Sequence, residues 1–393
     1  MKAEIKAELL RELTLDVGAP PADIGIRYGR DPFHPIHRGR PIVSFASWDL
    51  LHIQPHREIA NGMVRAQVEF GSGATAARSV GGVTNAIERA EARLSRFFAG
   101  EAAILFGTRN QAVLTMITTL CGEGVVVVTS PLCSLPLADA CALVGADFVE
   151  CESVDNLRTT LERYSLIRRV IVVVEASSPL TGEPVDISGW VMTAELAGAW
   201  IVIDETTALG LGGMRGAGSA EIMPASPALL ARLVGFQYVI GSEVCAVVGS
   251  VELRELLLRR SRYLRHEPPP SSLAARLADL VVDIVELALL PREMLAARSA
   301  LVYRALKAQG WQLSSTLPSP ITSLWFDSLQ KARDVQEAML QRGVLVEALP
   351  ARSLRRNGAV VRALLSNAHT QEEVDTLLTG FGEIRKRLEG PQR

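Results

Sequence analysis

Short apolar runs recur at 102–106, 124–129, 147–151, 169–174 and 199–203, with helix-length segments between them. Runs such as Val170-Ile171-Val172-Val173-Val174 do not alternate with polar positions, so they predict strands covered on both faces. That is an α/β layout: three layers, α/β/α, around a mostly parallel sheet. Thr84 to Phe98 carries helical spacing. Further on, 259–269 joins an Arg-rich end to Pro268 and Pro269 and reads as a hinge. Beyond it, helical patterns over 272–290 and 292–309 lead to strand-like runs at 321–326, 344–348 and 359–365 and a closing helix from Gln371. The expected division is an N-terminal segment, 1–55, a large α/β domain, 56–265, and a smaller α+β C-terminal domain, 266–393.

Composition narrows the class. With 393 residues, 48% hydrophobic and 21% charged, the chain has material for a sizeable core. A formal charge of -2 offers no overall attraction for nucleic acid or anionic lipid. The apolar stretch from Gly124 to Ala138 is broken by Pro131 and Pro136, short of the roughly 18–20 residues a membrane span needs, so no span is expected. The charged start, Met1-Lys2-Ala3-Glu4-Ile5-Lys6, lacks the apolar centre of a secretory signal, and a cytoplasmic protein is the expectation. Cys121, Cys133, Cys141, Cys151 and Cys245 are odd in number and unclustered, which fits buried thiols and neither a disulfide framework nor a zinc site.

Few residues stand out for chemistry. Asp204 closes the apolar run Trp200-Ile201-Val202-Ile203, at the strand end where open α/β sheets bind ligands; it holds a cation or belongs to a structural hydrogen-bond network. The glycines between Gly210 and Gly218 approach a dinucleotide fingerprint, but the spacing before Gly216 is one residue too long and the stretch opens no helix. His34, His37, His52 and His56 lie close in sequence without a metal-binding pattern, so no metal is expected. Cys133 and Ser134 follow an apolar strand and are candidate nucleophiles, with no histidine beside them in sequence.

Four segments follow one another over about 40–385: Phe45-Ala46-Ser47-Trp48-Asp49-Leu50-Leu51; Gly71-Ser72-Gly73 with Ala77-Arg78 and Gly82-Val83-Thr84; Asp204-Glu205-Thr206-Thr207-Ala208-Leu209-Gly210 with Gly213 and Arg215-Gly216; and Arg362 to Thr370. In that order they resemble the α-oxoamine synthase family of pyridoxal-phosphate (PLP) enzymes, which have fold type I and condense an amino acid with an acyl thioester. The resemblance implies that Asp204 faces the pyridine nitrogen, that Arg362 grips a carboxylate, and that Trp48 belongs to the substrate site. It also implies dimers, either of identical chains or with a homologue.

The chain departs from this pattern around the cofactor. Phe236, in Leu233-Val234-Gly235-Phe236-Gln237, stands at the family's lysine position, and between residues 7 and 306 there is no lysine. Arg109 and Asn110 replace a glycine and an aromatic residue, Ser134 a ring-stacking histidine, Thr207 a second histidine, and Leu233 a phosphate-binding threonine. The family's lysine holds the cofactor as a Schiff base and moves the α-proton; a phenyl ring does neither. The expectation is therefore an acyltransferase that takes an acyl-CoA or acyl-carrier-protein thioester and a small acceptor without an internal aldimine. No cofactor is expected beyond PLP held non-covalently, and a standard PLP-dependent synthase is set aside. Candidate participants are Asp204, Cys133, Ser134, Thr207 and His52. The alternative is a non-catalytic subunit serving a lysine-bearing homologue.

Overall fold

A computed structural model describes residues 25–130, 135–164, 168–223, 226–351 and 358–389. Its first part is a ribbon of β1 (Ile26–Arg27), β2 (Ile36–His37) and β3 (Arg40–Pro41), followed by β4 (Val43–Ser44), α1 (Arg57–Phe70) and α2 (Asn85–Phe97). Then come β5 (Ala102–Phe106), α3 (Arg109–Leu120), β6 (Val125–Thr129), α4 (Leu135–Val144), β7 (Asp147–Glu150), α5 (Val154–Tyr164), β8 (Arg169–Glu175), α6 (Ile187–Leu196) and β9 (Trp200–Asp204). After a glycine-rich tail follow β10 (Leu229–Gly235), α7 (Gln237–Ile240), β11 (Cys245–Gly249), α8 (Val251–Arg260) and α9 (Arg262–His266).

The central sheet runs β5-β11-β10-β9-β8-β6-β7; β11 is antiparallel to both its neighbours and the other pairs are parallel. Its continuous apolar runs have the predicted cause. Ile171 and Val173 of β8 pack with α3 and α4 residues such as Val113 and Leu137, whereas Val172 and Val174 pack with Trp190 and Val191 of α6. The apolar runs singled out in the sequence do not include β10 or β11: β10 carries the buried Arg232 in its middle, and β11, Cys245-Ala246-Val247-Val248-Gly249, is an apolar run of the same five-residue length as β5. The stretch read as a hinge contains α9, N-capped by the Ser261 hydroxyl.

Next, α10 (Ser272–Leu287) packs on α1 and α2, and α11 (Leu289–Ala308) leads to β12 (Ile321–Phe326), α12 (Leu329–Leu340), β13 (Val344–Leu345), β14 (Glu347–Pro350), β15 (Ala359–Leu364) and α13 (Gln371–Glu389). A sheet ordered β12-β15-β14 forms here, with β14 at an edge. The N-terminal segment is sewn onto this unit: β4 pairs in parallel with β13, and Phe45 C=O accepts the Leu364 N–H at 2.7 Å.

Candidate active site

Asp204 ends β9 near the middle of the central sheet, and its side chain is buried. One carboxylate oxygen accepts the Thr206 N–H at 3.0 Å and the Thr206 hydroxyl at 2.5 Å. The other accepts Arg109 Nε at 3.0 Å and also meets its Nη2. Arg109 is the first residue of α3, which a Thr108–Gln111 capping box anchors just beyond β5, so the helix start carries the guanidinium to the carboxyl end of β9. Asp204 thus holds a cation inside a hydrogen-bond network.

Thr206 joins this carboxylate to the next strand. Its hydroxyl accepts the Gly235 N–H at 3.2 Å, and a Cβ at position 235 would collide with the Thr206 side chain, which fits glycine there. Phe236 follows, 0% exposed, its N–H on Val244 C=O at 3.0 Å, in the apolar core shared with Val234 and Tyr238. Leu233 lies beside Asp204 in the parallel register, with its side chain in the core under α3. The Thr207 hydroxyl donates to Ser177 C=O at 2.6 Å and accepts from the Ser177 hydroxyl at 2.9 Å.

A second centre forms around Arg362 on β15. Its Nε and Nη2 both reach one Glu347 oxygen, at 2.8 and 2.7 Å, while Nη1 donates to Pro179 C=O and to the Tyr238 hydroxyl at 3.2 Å. Trp48 leans on Tyr238 with ring centroids 5.8 Å apart, and the Tyr238 carbonyl accepts the Asp49 and Leu50 N–H groups. Two short paths therefore link the centres: Thr207 through Ser177 to the Pro179 carbonyl, and Gly235 through Phe236 to Tyr238. A cavity of about 490 Å³, mostly apolar, has Ser177 and Thr207 in its wall together with Leu211, Leu295 and Pro318.

The structure thus gathers Asp204, Arg109, Thr207, Leu233, Phe236, Arg362 and Trp48 around adjoining strand ends. Asn110 is exposed on the first turn of α3. His52 lies apart, edge-on to Phe33 at 5.8 Å, and burial lowers its pKa. Cys133 and Ser134 fall outside the described residues. Of the other clustered histidines, His34 bonds Asp31 and Glu373, and His56 caps α1. Among the described residues no group of three His, Cys, Asp or Glu side chains is placed to share an ion. Burial raises the thiol pKa values of Cys121, to about 12, and of Cys141, to about 11. No helix of the described residues is long and apolar enough to cross a membrane.

Sequence reasoning missed Tyr238, Ser177 and Glu347. The signal available for Glu347 was weak: a lone carboxylate in an apolar run, paired with Arg362 only through the β14–β15 register.

For a PLP group the fit is divided. Asp204 offers the buried anionic oxygen that a protonated pyridine nitrogen needs, and Arg109 already sets a cation there. Phe236 supplies no amine, and the described lysines, Lys307, Lys331 and Lys386, are exposed on α11, α12 and α13; Lys2 and Lys6 fall outside the described residues.

Comparisons with known proteins bear on this point. No family model matches the chain. The 8-amino-7-oxononanoate synthase of Cellvibrio japonicus (strain Ueda107) is 28% identical over 352 residues, covering 88% of this chain and 87% of that one. A solved structure described as serine palmitoyltransferase (SPT) with PLP internal aldimine superposes with a TM-score of 0.85 at 22% identity, over 98% of each chain. The 8-amino-7-oxononanoate synthase of Francisella tularensis gives a TM-score of 0.77 at 16% identity, over 88% of this chain and 99% of that one. These findings overturn two expectations: that no cofactor is expected, and that the protein is PLP-independent with a standard PLP-dependent synthase set aside. Both were inferred from replacements in a few pocket positions, above all Phe236, whereas the likeness to synthases spans nearly the whole chain.

Proposed function

We propose that the chain, which is similar to α-oxoamine synthases of fold type I, is an acyl-transferring synthase of that type. Its substrates are an amino acid and an acyl thioester, carried on coenzyme A or an acyl carrier protein, and its cofactor is PLP. The observation that carries this reading is the convergence of a buried carboxylate, Asp204, and a buried guanidinium, Arg362, on the segment 235–238.

PLP, when bound, supplies a ring that takes up carbanion charge. The chain's own residues do the positioning. Asp204, fixed by two Thr206 donors, presents anionic charge at the carboxyl end of β9. Arg362, held by Pro179 and Tyr238, is the carboxylate-recognising cation, and a charge-assisted pair there fixes the acceptor's orientation. Trp48 and Tyr238 form an aromatic wall beside it. Thr207 steadies the 177–182 loop that carries the Pro179 carbonyl. No reaction step is assigned to position 236.

The test is amino-acid-dependent thiol release from a panel of acyl-coenzyme A thioesters, with PLP supplied. The expected result is turnover with at least one amino acid. Arg362→Gln should lower kcat/KM by roughly 10–100-fold, the loss of a charge-assisted contact of about 1.5–3 kcal/mol. Thiol release indifferent to the amino acid, or release that begins only when a lysine-bearing homologue is added, overturns the reading.

A further inference from the structure

Arg362 already has a carboxylate. Its Nε and Nη2 converge on a single Glu347 oxygen at 2.8 and 2.7 Å, and its remaining edge is held by Pro179 C=O and the Tyr238 hydroxyl. A substrate carboxylate arriving at this guanidinium finds the Nε–Nη2 edge occupied. The two partners differ in freedom. The Arg362 side chain is 8% exposed and fixed on the central strand of its sheet, whereas Glu347 is 25% exposed and sits on the edge strand β14. Glu347 has solvent to swing into; Arg362 has far less. The contact is also incomplete, because one oxygen serves both nitrogens, whereas a carboxylate approaching in the guanidinium plane can give each nitrogen its own oxygen.

We propose that Glu347 is a resident counter-ion on Arg362 that the substrate's carboxylate displaces, which makes it a specificity-determining residue. This rests on the reading of Arg362 as the carboxylate site. Two consequences follow from the exchange. Arg362 keeps a carboxylate throughout, so its buried charge is not left uncompensated between turnovers. Only an anionic ligand such as a carboxylate gains from the opened contact, so a simple amine gains nothing at this site. The closed contact lowers apparent affinity by the fraction of molecules in which Glu347 has swung away.

The experiment uses the full chain purified with PLP and follows binding of L-alanine, propionate and ethylamine by ligand-observed NMR. In Glu347→Gln, L-alanine and propionate should bind about tenfold tighter than in the wild type, with ethylamine unchanged. Glu347→Asp, one methylene shorter, should tighten L-alanine by a smaller factor; it carries the test if the Gln variant does not fold. Unchanged or weaker L-alanine binding in a folded Glu347 variant overturns the proposal. If Arg362→Gln still abolishes that binding, the carboxylate site stands and only the competition is lost. If Arg362→Gln has no effect either, the reading of Arg362 falls as well.

Discussion

Arg109 and a protonated pyridine nitrogen make the same demand on Asp204, a buried anionic oxygen, and the structure gives that oxygen to Arg109 at 3.0 Å. If the two cations compete, Arg109→Gln has opposite effects on two measurements. Without cofactor the variant loses about 3–5 kcal/mol, because Asp204 stays buried with only the Thr206 donors left. With cofactor it binds PLP more tightly than the wild type, by about tenfold, because no guanidinium has to be moved. Thermal melting reads the first and absorbance titration the second. Weaker PLP binding in Arg109→Gln would make Arg109 a cofactor ligand and remove it as a competitor. Phe236 shows how far one residue can mislead. Its identity excludes a tether at that position, and the extension of this to the whole cofactor is what the comparisons correct.

At the scale of elements, β5, β6, β8 and β9 were legible in the sequence because burial on both sides imposes an apolar composition, whereas the edge strand β7 was legible from Phe148 and Val149 although its ends are exposed. β10 was hidden by Arg232, which is 2% exposed and lies inside the core. It is satisfied there by Glu205 at 2.5 Å, the Ser219 hydroxyl at 2.8 Å and Met223 C=O, partners from the segment that follows β9. No local pattern announces such a pair. The same holds for Arg109 with Asp204 and for Glu347 with Arg362, whose meeting depends on helix placement and strand register. Asp204 and Arg362 were legible because motif order marked them. The Arg232–Glu205 pair ties β10 to the glycine tail, so Arg232→Met alone should cost about 3–5 kcal/mol by leaving Glu205 charged and buried. Glu205→Leu combined with Arg232→Met should cost less than Arg232→Met alone in urea unfolding. Additive losses would show that packing, not charge, holds the tail.

Across the whole molecule, residues 33–53 are clamped onto the C-terminal unit by two buried titratable groups. His369 donates from Nε2 to Ser44 C=O at 3.0 Å and accepts the Ser366 N–H on Nδ1 at 3.0 Å, so the ring is neutral; it also stacks on Phe45 at 4.0 Å. Burial lowers its pKa to about 4. Asp49, in the left-handed region at φ 109°, accepts the Ile53 and Gln54 N–H groups at 2.6 and 2.8 Å, yet burial raises its pKa to about 6. The backbone carbonyl of Asp49 takes the Ser366 hydroxyl, so the two groups share one junction. Their linkage to folding has opposite sign. Between about pH 4 and 6.5 the unfolded chain protonates His369 and the native one does not, so this term strengthens as pH rises. Between the ordinary 3.8 and about 6 the native chain protonates Asp49 and the unfolded one does not, so this term weakens over nearly the same window. Each amounts to about 3 kcal/mol, and in the wild type they oppose each other. Removing either exposes the other. Relative to wild type, the stability of Asp49→Asn should climb by about 3 kcal/mol from pH 4 to 6, and that of His369→Gln should fall by about the same amount from pH 4 to 6.5. Denaturant unfolding across this range reads both differences, and two variants sloping the same way would separate the junction from the acid response of the fold.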